Sequence, residues 1–167
     1  MKKTILFFVL VLTSGLAKAQ FELTPNGFVD KENKDKDYIV LEVAGKNKAE
    51  LYKSTLLYLN TLYSNPKETI SAVDGESISV NAIDDSTIST VLNGYSLVFE
   101  FKDGKIRIKP SYALYYYSSI NGLRNEYEIF NDKGKLKRAK DKERLEGFYN
   151  GYVAIIKKNA EKKAEDW

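Results

Sequence analysis

The chain contains no cysteine and no histidine in 167 residues. Without cysteine there is no disulfide, no thiol nucleophile and no thiolate metal ligand. Without histidine the commonest general base near neutral pH is missing. Histidine-dependent triads and zinc sites that use imidazole are therefore excluded. Long apolar runs are scarce too. The one unbroken run is Ile5 to Leu12, too short for the ~20 residues that span a bilayer.

That run has a specific setting. Lys2 and Lys3 precede it and Ala17-Lys18-Ala19 follows it. A basic start, an apolar centre and an A-x-A site in this order make a secretory signal. Cleavage between Ala19 and Gln20 is expected, with residues 1–19 removed. No cysteine sits at the cut to carry a lipid anchor. The mature protein is expected in the periplasm or outside the cell, without stable membrane insertion.

Removing the leader changes the charge balance. The whole chain has 26 Lys+Arg and 23 Asp+Glu; Lys2, Lys3 and Lys18 leave with the leader, so 26 minus 3 gives 23 against 23. A neutral domain lacks the basic footprint of a nucleic-acid binder, so no nucleic-acid partner is expected. The remaining 148 residues (167 minus 19) fit one domain able to bury a core.

Along that domain, residues 20–37 read as a polar arm and loop, with Phe21, Leu23, Phe28 and Val29 docking on the body. The single folded domain is expected over 38–160, and a charged tail over 161–167. Residues 38–43 alternate as a first strand. Asn47 with Glu50 three residues later forms a capping box, and Ala49, Tyr52, Leu56, Leu59 and Tyr63 make one helical stripe that Asn65-Pro66 ends. Glu68 to Val73 reads as a strand, Asp74-Gly75 as a turn and Ser77–Ala82 as the return strand. Asp84-Asp85-Ser86 interrupts the next stretch, as a loop or an early strand start. The clearest hairpin follows: Tyr95, Leu97, Phe99 and Phe101 alternate towards Asp103-Gly104, and Ile106 and Ile108 continue the apolar face. Asn121-Gly122 marks a further turn. A last helix is expected from about Asp141, with Leu145, Tyr149, Tyr152 and Ile156 as its stripe.

The order is β-α-β-β-β-β-α. It predicts an α+β domain with a mainly antiparallel sheet and two helices on one face. The stretches DYIVLEVAGKNKAELYKSTLLYLNTLYSNP, SISVNA and LVFEFKDGKIRIKP resemble an uncharacterised domain of exported proteins of Bacteroides-type bacteria. The similarity covers about residues 28 to 112. It implies a TATA-binding-protein-like (TBP-like) fold. It carries no catalytic residues, and fold does not fix function.

Four constellations remain. Lys102, Lys105, Arg107 and Lys109 share one strand face, suited to an anionic ligand or simply to solvent. Tyr115, Tyr116 and Tyr117, following Tyr112, offer flat surfaces for a sugar ring or a protein; neighbours alternate on a strand, so not all can point inward. Asp84 and Asp85 suggest carboxylate chemistry, but adjacent strand residues diverge, which favours a turn. Gly147 and Gly151 on the last helix suggest close packing on the sheet. No metal site and no cofactor are expected. The expected function is a non-catalytic binding module for a glycan, peptide or envelope protein. The alternatives are a structural assembly subunit or a carboxylate-dependent hydrolase.

Overall fold

The computed structural model describes residues 20–88, 91–117 and 124–162; the side chains of residues 116, 117, 124 and 125 lie outside that description. The leader with Ala19, the Asn121-Gly122 turn and the tail beyond residue 162 also lie outside the described residues.

The chain opens with β1 (Phe21–Thr24) and β2 (Gly27–Asp30), followed by β3 (Ile39–Glu42), α1 (Lys48–Leu62), the single turn α2 (Pro66–Thr69) and β4 (Ile70–Val73). Three long strands come next: β5 (Ser77–Ile88), β6 (Val91–Lys102) and β7 (Lys105–Tyr117). The short β8 (Arg124–Glu126) and the 22-residue α3 (Ala139–Ala160) complete the domain. The main sheet has the order β3-β7-β6-β5-β4, with β8 also on β7, and every pairing is antiparallel. This is the α+β architecture expected from the sequence, with α1 and α3 on one sheet face.

Alternation in the long strands decides which face is covered. Ile78 and Val80 of β5, Leu97, Phe99 and Phe101 of β6, and Ile106 and Ile108 of β7 are buried beneath the helices. From the helices, Leu51 and Leu59 meet them, as do Leu145, Tyr149 and Ile156. Truncating the fully buried Phe99 to Ala would cost about 3–5 kcal/mol, because transfer and cavity terms add. Thr55 and Asn93 are buried as well, and their side-chain polar atoms meet no hydrogen-bond partner among the described residues.

The start of α1 is fixed by local and distant contacts together. Glu50 N donates to Asn47 Oδ1 at 3.0 Å and Asn47 N donates to Glu50 Oε2 at 2.8 Å, closing the capping box. The β6–β7 turn docks against the same end. Gly104, at φ +69°, donates its N–H to Lys46 O and accepts from Val43 N, both at 2.8 Å. That left-handed conformation is why glycine follows Asp103.

Three local expectations change. Residues 21–30 form a β-hairpin where an arm and a loop were expected, and Phe21, Leu23 and Phe28 lie in the core while Val29 is half-buried. Helix α1 ends at Leu62, so Pro66 opens the next turn at its first position, where a missing N–H costs nothing. The strand expected from Glu68 consequently begins at Ile70.

The hairpin is held by the last helix. Asn150 Oδ1 accepts from Phe21 N at 2.7 Å and its Nδ2 donates to Phe21 O at 3.1 Å, as a neighbouring strand would. Glu146 Oε1 accepts from Leu23 N at 2.8 Å. Phe28 packs against Tyr149 and Tyr112, with ring centroids 4.4 and 5.3 Å away.

Candidate binding site

The uncovered sheet face collects the cationic residues as the alternation requires. Register then gives Lys105 and Arg107 an acidic partner, and Asp37, just before β3, reaches Lys109. Glu42 lies opposite Lys105 and Glu100 opposite Arg107. Lys105 Nζ is 3.1 Å from Glu42 Oε1, and Lys109 Nζ is 2.6 Å from Asp37 Oδ2. Arg107 Nε donates to Glu100 Oε2 at 2.5 Å, and its guanidinium sits 5.2 Å from the Tyr38 ring centre. Lys102 has no ion pair among the described residues. The stripe is a row of exposed pairs, each worth about 0–1 kcal/mol, with little net charge left to attract an anion.

The tyrosine segment divides. Tyr112 is half-buried under β2, against Phe28. Tyr115 is half-buried and lies opposite Glu126 in the β7–β8 ladder. Tyr116 and Tyr117 pair with Asn125 and Arg124 through their backbones, and their side chains lie outside the described residues.

Where β7, β8 and the β1–β2 turn meet, the surface is concave. A cleft of about 360 Å³ is lined by Tyr112, Tyr115, Glu126, Tyr127 and Glu128, with Asn26 on the hairpin side. A second hollow of about 280 Å³ shares Tyr112, Tyr127 and Glu128 and adds Asn131 and Asp132. Tyr127 is held from both sides. Its hydroxyl donates to Asp141 Oδ2 at 2.5 Å, and the Arg138 guanidinium lies 4.4 Å from its ring centre. Burial first, and then the bond to the Asp141 carboxylate, raise its pKa above the ordinary phenol value. Glu128 is tied to Lys137 at 2.7 Å. The cleft thus sits at the strand edge, with the pinned Tyr127 on one side of the ladder and Tyr115 beside the Glu126 carboxylate on the other.

The acidic pair diverges as strand geometry demands. Asp84 Oδ1 accepts from Ser86 N at 3.3 Å and Ser86 Oγ at 2.5 Å, and its Oδ2 accepts from Thr87 N at 2.9 Å. Burial pushes this carboxyl up, but the bonds from Ser86 and Thr87 outweigh it and hold its pKa below the usual value. Asp85 is exposed. Among the described residues no cluster of acids could hold a metal ion.

Gly147 and Gly151 do not pack on the sheet. Both are exposed, and a Cβ at either would meet nothing within 4 Å. The apolar residues of α3 face the core on its other side, through Leu145, Tyr149, Val153 and Ile156.

One cluster was not readable from the sequence. The hydroxyls of Tyr63, Tyr95 and Tyr152 converge from the end of α1, from β6 and from α3. Tyr63 is bonded to Tyr152 and lies 3.3 Å from Tyr95, which is 3.1 Å from Tyr152. Burial foremost raises the pKa values of Tyr63 and Tyr152 far above the ordinary value. The three phenols join both helices to the sheet. The signal in the sequence was only three tyrosines far apart in the chain.

No family model matches the chain, and no curated protein matches it. Two solved structures are similar. The crystal structure of a TBP-like protein from Parabacteroides distasonis aligns with a TM-score of 0.61 at 12% identity, over 76% of this chain and 92% of that one. A DUF4468 family protein from Bacteroides ovatus aligns with a TM-score of 0.49 at 14% identity, over 77% of this chain and 88% of that one. Element order, antiparallel pairing and this likeness agree: the chain has a TBP-like α+β fold.

Proposed function

We propose that the protein is a non-catalytic binding module acting in the periplasm or outside the cell, and that its cleft recognises a glycan. The observation that carries this reading is the concavity at the open edge of β7, lined by Tyr112 and Tyr127 from the covered side of the strand and by Tyr115 and its ladder partner Glu126 from the uncovered side. Aromatic faces stack on the apolar faces of sugar rings, and carboxylates accept from hydroxyls. Pinning Tyr127 in advance lowers the ordering cost of binding. The hollow of about 440 Å³ on the open sheet face is lined by small and neutral residues, Asn81, Ile83, Gly94, Ser96, Ser111 and Ala113, with neither ring faces nor carboxylates of that face in its wall. The site of action rests on the leader pattern. Strand β1 begins at Phe21, so cleavage after Ala19 leaves the hairpin whole. No described helix is long and apolar enough to cross a membrane.

The test is titration of isotope-labelled protein with a panel of oligosaccharides, followed by NMR. Shifts are expected around Glu126 to Glu128, with binding weakened about tenfold or more by Tyr115→Ala or Glu126→Gln. Paired Lys105→Ala and Arg107→Ala changes should leave it intact. Shifts centred on Lys105 and Arg107 would move the site to the open face. Mass spectrometry of the exported protein is expected to find Gln20 first; Met1 retained on cytosolic protein would sink the assignment of compartment.

A further inference from the structure

Strand β5 is much longer than its neighbour β4. The last pair between them is Ile70 with Val80. Beyond it, β5 keeps pairing with β6 as far as Asp84, while its other edge has no backbone partner among the described residues. The open stretch ends where Ser86 and Thr87 turn their N–H groups onto the Asp84 carboxylate, and the register with β6 shifts there too. The window is Asn81 to Asp85. In an antiparallel sheet alternate residues direct N–H and C=O to the same side, so the window presents unpaired donors and acceptors. Natural edges are blunted by charged side chains, proline or bulges; NAIDD has no lysine or proline, and its two aspartates and the register shift protect only its far end, leaving Asn81 to Ile83 without such a device. Asn81 and Ile83 share the uncovered face, Ile83 is 62% exposed, and Asp85 is exposed where the register shift begins. Neither Asn81 nor Asp85 makes a side-chain hydrogen bond or ion pair among the described residues.

We propose that this window pairs with the same window of a second copy, antiparallel about a two-fold axis at Ile83. A two-fold contact must be self-complementary. Centred on Ile83, the register sets 81 opposite 85 and 82 opposite 84. Ile83 then covers its counterpart, and the Asn81 amide donates to the partner's Asp85, twice by symmetry. Centring on Asp84 would set two carboxylates face to face, which is destabilising. Centring on Ala82 would run into residues already paired with β4. The chemistry of the window thus selects one register and a copy of itself as occupant. Five paired residues bury less than a standard interface of about 1,600 Å², so the dimer is reversible.

The experiment is sedimentation equilibrium of protein produced from the full chain, over a wide concentration range. A monomer–dimer equilibrium is expected. Ile83→Lys sets like charges across the axis, and Asn81→Asp sets carboxylates opposite one another; each should weaken the dimer about tenfold or more. Combining Asn81→Asp with Asp85→Asn exchanges donor and acceptor and should restore it. Circular dichroism melts check folding. Should Ile83→Lys fail to fold, the exposed pair at 81 and 85 carries the test. A wild type monomeric throughout, a dimer indifferent to Asn81→Asp, or a folded double variant that stays monomeric overturns the proposal. A complex only with added basic peptide would assign the edge to a foreign strand and overturn it too. None of these outcomes bears on sugar binding in the tyrosine cleft.

Discussion

The Asp103 carboxylate accepts a hydrogen bond from Lys48 N at 2.8 Å, 55 residues away in sequence. The β6–β7 turn thus supplies an acceptor to the first residue of α1, where an N–H has no partner within the helix and the helix dipole favours an anion. Asp103→Ala is expected to cost about 1 kcal/mol and lower the melting midpoint by about 3–6 °C. Asp103→Asn keeps an oxygen acceptor and should lose less. Thermal denaturation of the variants checks this; equal losses would mean that charge alone matters.

Gly151 lies inside α3 with open space where a Cβ would go. Helical glycine costs about 0.8–1 kcal/mol relative to alanine. Gly151→Ala is therefore expected to stabilise the protein by about 0.5–1 kcal/mol, and Gly147→Ala similarly. Urea unfolding measures it. A loss of stability would show that the position needs an absent side chain.

Tyr149 is fully buried and donates to Ser111 O at 3.2 Å. Burial, with the neighbouring Tyr112, Tyr95 and Asp84 charges adding to it, raises its pKa well above the ordinary value near 10. The sign follows from proton uptake. Below pH about 10 the folded and unfolded states both hold the proton. Above it the unfolded chain ionises while the folded one does not, so stability falls with rising pH, by up to about 1.4 kcal/mol per pH unit for this group. Tyr149→Phe should cost about 1 kcal/mol at neutral pH and make the alkaline decline shallower. Denaturant unfolding between neutral and strongly alkaline pH checks both parts.

Asn150 holds both backbone groups of Phe21. Asn150→Leu leaves them unsatisfied and is expected to cost about 1–3 kcal/mol. The loss should be local: faster hydrogen exchange at Phe21 and Leu23, and earlier proteolysis within residues 20–36. If exchange there is unchanged, hydrophobic packing of Phe21 and Leu23 holds the hairpin by itself.

Legibility followed range in sequence. The Asn47–Glu50 box, the Asp103-Gly104 turn and the alternation of β6 and β7 are local patterns, and each names its own structure. The stripe of α1 was less readable. Thr55 is buried, which an apolar pattern passes over, while Ala49 is exposed. The first hairpin left a signal in FELT and GFVD around Pro25-Asn26, but its anchor is a side chain 129 residues later. The cleft was half visible. Tyr115 stood out in its run, whereas Glu126, Tyr127 and Glu128 join it only through the short β8. The cationic stripe was visible as positive charge. Its neutralisation by Glu42 and Glu100 depends on strand register, and by Asp37 on the path of the segment before β3, neither of which composition carries.

The grip of Asn150 on Phe21 sets an order of events for a nascent polypeptide. The opening segment finds its seat only once the closing helix exists, so early lengths of chain have nowhere to lock. Separation of this size slows the final docking, so the opening hairpin stays unlatched until the chain is complete.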